Sequence, residues 1–133
     1  MEQEIVKTVA AFLNADGGTL LIGIDDNGEP LGLKNDYQTL KKQNNDGYML
    51  FLNNDLLLRE IGKDSGTLLQ ITFHQVSRQD VCRVIVKPSP KPVYIKVKDK
   101  SGKEEEVFYL RSNNSSVKLS TKEAVDYSKN HWG

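Results

Sequence analysis

The sequence predicts an α/β domain of the α+β kind, a mixed sheet of about five to six strands with flanking helices, spanning residues 1–133. Three observations predict it. Apolar residues fall at helical spacing over 3–14 and 48–61. Short alternating or continuous apolar runs occupy 19–24, 69–74, 81–86, 93–98 and 106–111. Length and composition complete the case: 133 residues suit one core, and 38% hydrophobic with 27% charged residues is the balance of a folded chain, not a disordered one.

Each element has its own signal. In 3–14, Ile5, Val9, Phe12 and Leu13 form a stripe with Val6 and Ala10 beside it. Asn14-Ala15-Asp16-Gly17-Gly18 stops that helix, since glycine accepts the left-handed C-cap geometry. Thr19 to Ile24 is the first strand, apolar enough to be covered on both faces. Asn27-Gly28 signals a hairpin returning through Leu31-Gly32-Leu33. Asp36 is placed to cap a helix through about Lys42, and 48–61 forms a second long helix ended by Gly62. Three strands follow at 69–74, 81–86 and 93–98. Lys87-Pro88-Ser89-Pro90-Lys91-Pro92 lies between the last two and cannot pair inside a sheet. Lys98 to Glu106 reads as a charged exposed loop, 106–111 as the final strand, and Ser112 to Ser116 as a polar loop. Ser120-Thr121-Lys122-Glu123 is a capping box that opens a C-terminal helix.

Composition excludes several classes. No apolar run approaches the ~20 residues of a membrane span, and the acidic start Met1-Glu2-Gln3-Glu4 is no signal peptide. Cys82, the single cysteine, forms no internal disulfide and points to a reducing, cytoplasmic compartment. Two histidines and one cysteine, far apart, make no zinc site. The 18 basic and 18 acidic residues cancel, which argues against a strongly basic nucleic-acid binder. They are unevenly spread, however. Five acids and one base occupy residues 1–26, and six bases with one acid occupy 83–100, so one face can be basic.

Gly23 and Gly28 have P-loop spacing, but Glu29 and Pro30 stand where Lys and Ser or Thr are needed, and a glutamate there repels phosphate. Asp25 and Asp26 are candidate ligands for a divalent metal. Adjacent strand residues point to opposite faces, so at most one would bind directly, and hairpin-turn chemistry explains them better from local sequence. His74 and His131 have no apparent partner, and Cys82 among valines reads as a core thiol. Tyr94, Lys96 and Lys98 share one face of a strand, and Tyr109 with Arg111 share one on the last strand. Rings among cations suit single-stranded nucleic acid, since rings stack on bases and cations meet phosphates; a partly exposed sheet face explains them as well.

The run from Val9 to Gly28, with the pattern AFxNxxGGxLxIGxDDxG over 11–28, followed by Gly32-Leu33, resembles the core motif of the Schlafen AlbA-type domain. Pro92-Val93-Tyr94-Ile95-Lys96, then Phe108 to Ser116, then the helix with Glu123-Ala124, resemble it in the same order. The resemblance implies a mixed α/β sheet, nucleic-acid binding and a place as the N-terminal part of a longer protein, often a transcriptional regulator or an ATPase-like protein. Some Schlafen members cut transfer RNA with three carboxylates and a metal. Two come from an upstream Glu-x-x-x-x-Glu-Phe-Lys segment and the third matches Asp25-Asp26. That segment does not occur in this chain.

The expectation is therefore a DNA- or RNA-binding module using Tyr94, Lys96, Lys98, Tyr109 and Arg111, with no catalytic residues and no cofactor. Two alternatives stand beside it. One is a metal-dependent ribonuclease fragment, which would need Mg or Mn at Asp25 and Asp26. The other is a protein-interaction or oligomerisation domain such as a homodimer.

Overall fold

Helix α1 (Glu2–Asn14) buries Ile5, Val6 and every residue from Val9 to Asn14, so from Val9 onward no face is left to solvent. A helix apolar all round belongs inside a core, and the rest of the chain packs about this one. The computed structural model describes residues 2–133.

The first sheet has the order β1 (Gly18–Ile22), β3 (Gln79–Val86), β2 (Leu69–Val76), with both pairs antiparallel. Leu20, Ile22, Ile71, Phe73, Cys82, Val84 and Val86 join one core cluster with α1 and with Tyr48, Leu52, Leu56 and Leu57. The second sheet has the order β4 (Ile95–Lys98), β5 (Glu104–Ser112), β6 (Ser115–Leu119), again antiparallel throughout. Its Ile95, Val107 and Tyr109 join the same cluster. Helix α5 (Thr121–His131) opens on the expected capping box, Ser120 Oγ accepting from the Glu123 N–H at 3.2 Å and Glu123 Oε1 from the Ser120 N–H at 2.9 Å. Among the described residues no helix is long and apolar enough to cross a membrane.

The α/β class and the strand number are as expected, with the six strands divided between two sheets. The prolines of 88–92 cannot donate to a ladder, so the chain leaves the first sheet after Val86 and starts another. β4 begins at Ile95 because the main chain of Val93 is already engaged. Its N–H donates to Asn14 Oδ1 at 2.8 Å and its carbonyl accepts from Asn14 Nδ2 at 2.9 Å, while the same Nδ2 donates to the Tyr109 carbonyl at 2.8 Å.

Elsewhere the boundaries differ for local reasons. The expected helix from Asp36 to Lys42 is one turn, α2 (Lys34–Tyr37): beyond it Leu40 alone supplies an apolar side chain before Tyr48, too little to hold a helix down. The helix expected at 48 starts earlier, where Asn44 Oδ1 caps the Gly47 N–H at 2.9 Å. It then runs through α3 (Asn45–Leu50), a π-helical stretch (Phe51–Leu57) and α4 (Leu58–Ile61). The polar loop expected at 112–116 is a hairpin, with Ser112 paired to Ser115 and Asn113 at φ +56° in the turn. Strand β6 is missing from the sequence reading because Ser115-Ser116 hides the start of a short, half-polar strand. The return strand 31–33 reduces to a single bridge, Ile24 to Pro30.

Gly17 has φ +79°, and a Cβ there would lie 2.4 Å from the Val86 carbonyl oxygen, a main-chain atom that cannot step aside. Gly17→Val is expected to cost about 3 kcal/mol or more, from strain and overlap together. Asn14→Leu is expected to cost about as much, because it strands one buried N–H and two carbonyls. Urea unfolding of both variants, read by circular dichroism, checks this; melting unchanged from the parent chain would contradict it.

Candidate nucleic-acid interface

Alternation along 93–98, the extended lead-in and β4, decides which side chains reach solvent. Val93 and Ile95 are buried in the core cluster, and Tyr94, Lys96 and Lys98 are exposed on the other side. The Tyr94 ring is 44% exposed yet fixed in place. It meets Phe108 edge-on at 5.4 Å, and Phe108, fully buried, meets Tyr127 at 5.9 Å and Trp132 at 6.2 Å. Trp132 Nε1 in turn donates to the Ser89 carbonyl at 2.8 Å. An aromatic block under α5 thus holds one ring out just before the edge strand, with two cations following it on β4.

The neighbouring strand is acidic on that face. Lys96 lies opposite Glu106 and Lys98 opposite Glu104 in the β4–β5 register. Among the described residues none of these four side chains forms an ion pair within 4 Å; the pairs present are Lys7–Glu4, Lys42–Asp46, Arg59–Glu60, Lys91–Asp64 and Lys118–Glu105. The stretch read from sequence as a loop to Glu106 is strand from Glu104 onward. The run Glu104-Glu105-Glu106 after Gly102 was the available signal, and only the register reveals that two of these residues face the lysines.

The five expected binding residues do not come together. Tyr109 and Arg111 lie on the opposite face, turned to α1. Tyr109 is buried, with Lys7 Nζ 5.6 Å above its ring, so no base can stack on it. The Arg111 guanidinium sits 5.0 Å over the Phe12 ring and donates through Nη1 to Ser116 Oγ at 3.0 Å. A ligand on the Tyr94 side cannot touch either. The basic run 83–100 is likewise dispersed: Arg83 belongs to the first sheet and Lys91 is paired with Asp64.

Asp25 does turn chemistry. Its Oδ1 accepts the N–H groups of Asn27 and Glu29, both at 2.9 Å, while the Gly28 N–H returns to the Asp25 carbonyl at 3.0 Å. Gly28 is at φ +81° and Asn27 is not left-handed, so the loop is a turn closed by a glycine bulge, not the two-residue turn that Asn-Gly suggested. Among the described residues no three His, Cys, Asp or Glu side chains group as a metal-holding set. The residues present therefore do not fit a Mg or Mn site, which needs several oxygens free to bind. Burial pushes the Cys82 thiol up to about 12, which leaves it protonated in the core. Thr72 Oγ1 lies 3.0 Å from His74 Nε2, and His131 stacks on Tyr127 at 4.9 Å.

Residues 1–120 match the family described as Schlafen, AlbA_2. The DIP2311 protein from Corynebacterium diphtheriae has a similar crystal structure, with a TM-score of 0.64 and 19% identity over 99% of this chain. That likeness is one of fold, and the chain spans 22% of that protein's length. No curated protein matches the sequence.

If the Asp25 carboxylate serves the turn, Asp25→Ala is expected to lower stability by about 1–2 kcal/mol, and Asp26→Ala, on an exposed side chain, by less than about 0.5 kcal/mol. Thermal melts of the two variants compare them directly. Equal losses would show that the turn does not depend on Asp25.

Proposed function

We propose that this chain, which belongs to the Schlafen, AlbA_2 family, binds nucleic acid as one module of a longer protein, through the outer face of β4. The observation that carries the reading is Tyr94, a residue 44% exposed whose ring is held by Phe108, with Lys96 and Lys98 exposed on the same side of the strand that follows it. An exposed ring offers a base a stacking surface, and cations two residues apart, about 6.6 Å along a strand, suit successive phosphates. The modest charge of the patch fits a module that adds affinity to a larger assembly, and a transcriptional regulator or ATPase-like protein is the kind of parent that would use it.

The ribonuclease alternative finds little support: Asp25 is engaged by two main-chain N–H groups and lacks companion carboxylates. Arg111 supports the fold around Phe12 in this reading and does not serve the ligand.

Fluorescence anisotropy with a labelled mixed-sequence oligonucleotide, titrated in salt, tests the proposal. Tyr94→Ala is expected to weaken binding by about 1–3 kcal/mol, and Tyr94→Phe to keep most of the affinity. Lys96→Ala with Lys98→Ala is expected to weaken it and to reduce the salt slope by about 1.4 for a single strand. Lys41→Ala with Lys42→Ala, exposed elsewhere, is the control. If the two lysine pairs behave alike across the titration, the outer face of β4 is not the site.

A further inference from the structure

Lys96 and Lys98 stand alone as a row. β4 is an edge strand of the second sheet, so the cations border open solvent on one side and β5 on the other. On β5, directly opposite, stand Glu106 and Glu104, all four side chains exposed and none ion-paired among the described residues. One strand further, on the same face of β6, come Leu119 and Val117, by the β5 register with Phe108 and Leu110. Moving across the sheet from its edge at Lys96 and Lys98, a ligand therefore meets a cationic row and then an acidic row about 4.8 Å away; the apolar pairs lie further along β5, where α5 packs on Phe108.

We infer that this face selects a single strand over a duplex, and that Glu104 and Glu106 are the residues that set the selectivity. The inference rests on the nucleic-acid reading above. A single strand brings one line of phosphates, which the lysine row can meet while a base lies on Tyr94. A duplex brings a second line across a groove of about 6 to 12 Å, and its bases are stacked inside, where Tyr94 cannot reach them. Laid across the sheet, its second backbone falls on the carboxylates of Glu104 and Glu106. Like charges brought together in this way reject a ligand as effectively as lost attraction does. Lys118, the cation on β6, lies on the opposite face and is paired with Glu105 at 2.9 Å, so it offers the second backbone nothing. The carboxylates near the lysines thus have a role that solubility alone does not explain. They weaken single-strand binding somewhat and duplex binding much more.

The test measures binding of a short mixed-sequence DNA strand and of the duplex it forms with its complement, at the same salt. The parent chain is expected to hold the strand about ten-fold more tightly. Glu104→Gln with Glu106→Gln is expected to strengthen duplex binding more than strand binding, so that the ratio falls about three-fold or more. Glu105→Gln, on the other face, is expected to leave the ratio unchanged. Circular dichroism confirms that each variant is folded. Equal binding of strand and duplex by the parent chain, or a ratio unmoved by the double substitution, would overturn the inference while leaving nucleic-acid binding intact. Binding of neither ligand by the parent chain would remove the reading beneath it.

Discussion

One buried amide holds the two halves of the molecule together. Asn14 ends α1 with its side chain fully buried, at the point where Val93 would face Tyr109 if the β4–β5 ladder continued. It accepts from the Val93 N–H and donates to both carbonyls, so it supplies partners that the ladder would otherwise supply. A buried amide is costly unless nearly all its valences are used, and this one is used on three counts. Its own carbonyl takes the Tyr127 hydroxyl from α5 at 2.6 Å, and the preceding carbonyl, of Leu13, takes the Ser89 N–H at 2.8 Å. The end of α1 therefore sets the position of β4, β5, α5 and the proline segment together. Gly17 and Gly18 follow from it: the chain must turn out of a buried helix at once, and Cβ atoms there would strike the Val86 carbonyl and the Phe12 ring.

The same arrangement explains how a chain of zero net charge can present a row of exposed cations. Composition counts charges, whereas a strand pair arranges them in rows. With Ile95 and Val97 drawn into the core, Lys96 and Lys98 must point outward, and antiparallel pairing then brings Glu106 and Glu104 beside them. A field with structure on the scale of a few ångströms cancels at a distance and persists at contact, where the Debye length of about 8–10 Å does not screen it. Such a surface does little long-range steering and much local discrimination.

Much of this was legible in the sequence. The stripe of α1, the capping box of α5 and the alternation of β4 each rest on local periodicity, and each lies where the residues put it. Tyr94, Lys96 and Lys98 sharing a face is a consequence of period two alone. What the sequence does not contain is the partner of each strand. Tyr109 and Arg111 have the same local pattern as Tyr94 and Lys96, yet one set is exposed and the other turned inward, because α1 covers only one side of the sheet. Glu104 was hidden as a loop residue and Glu106 stood only at the start of the strand, since a charged strand has no apolar period to betray it. The start of β4 depends on Asn14, 79 residues away along the chain, and no window of local sequence spans that distance.

A turn that occurs twice shows where the register comes from. Asp25-Asp26-Asn27-Gly28-Glu29 and Asp99-Lys100-Ser101-Gly102-Lys103 have the same hydrogen-bond set: the aspartate Oδ1 accepts from the N–H groups two and four residues on, and the glycine N–H returns to the aspartate carbonyl at 3.0 Å. In the second copy the Ser101 hydroxyl, at 2.6 Å, together with the Lys103 N–H, holds the Asp99 carboxyl below its ordinary range. That shift contributes stability at neutral pH which is lost as pH falls and Asp99 protonates, so the turn is strongest where the carboxylate is charged. Both loops place glycine at positive φ in the fourth position, +81° at Gly28 and +85° at Gly102, which only glycine accepts without strain. Because the Asp99 turn joins β4 directly to β5, its length decides that Lys98 meets Glu104. A slip of one residue would turn Lys96 and Lys98 toward the core and Ile95 toward water, a change the core would not tolerate. The aspartate that in its first copy looks like a metal ligand is, in its second, what fixes the lysine row beside the glutamate row.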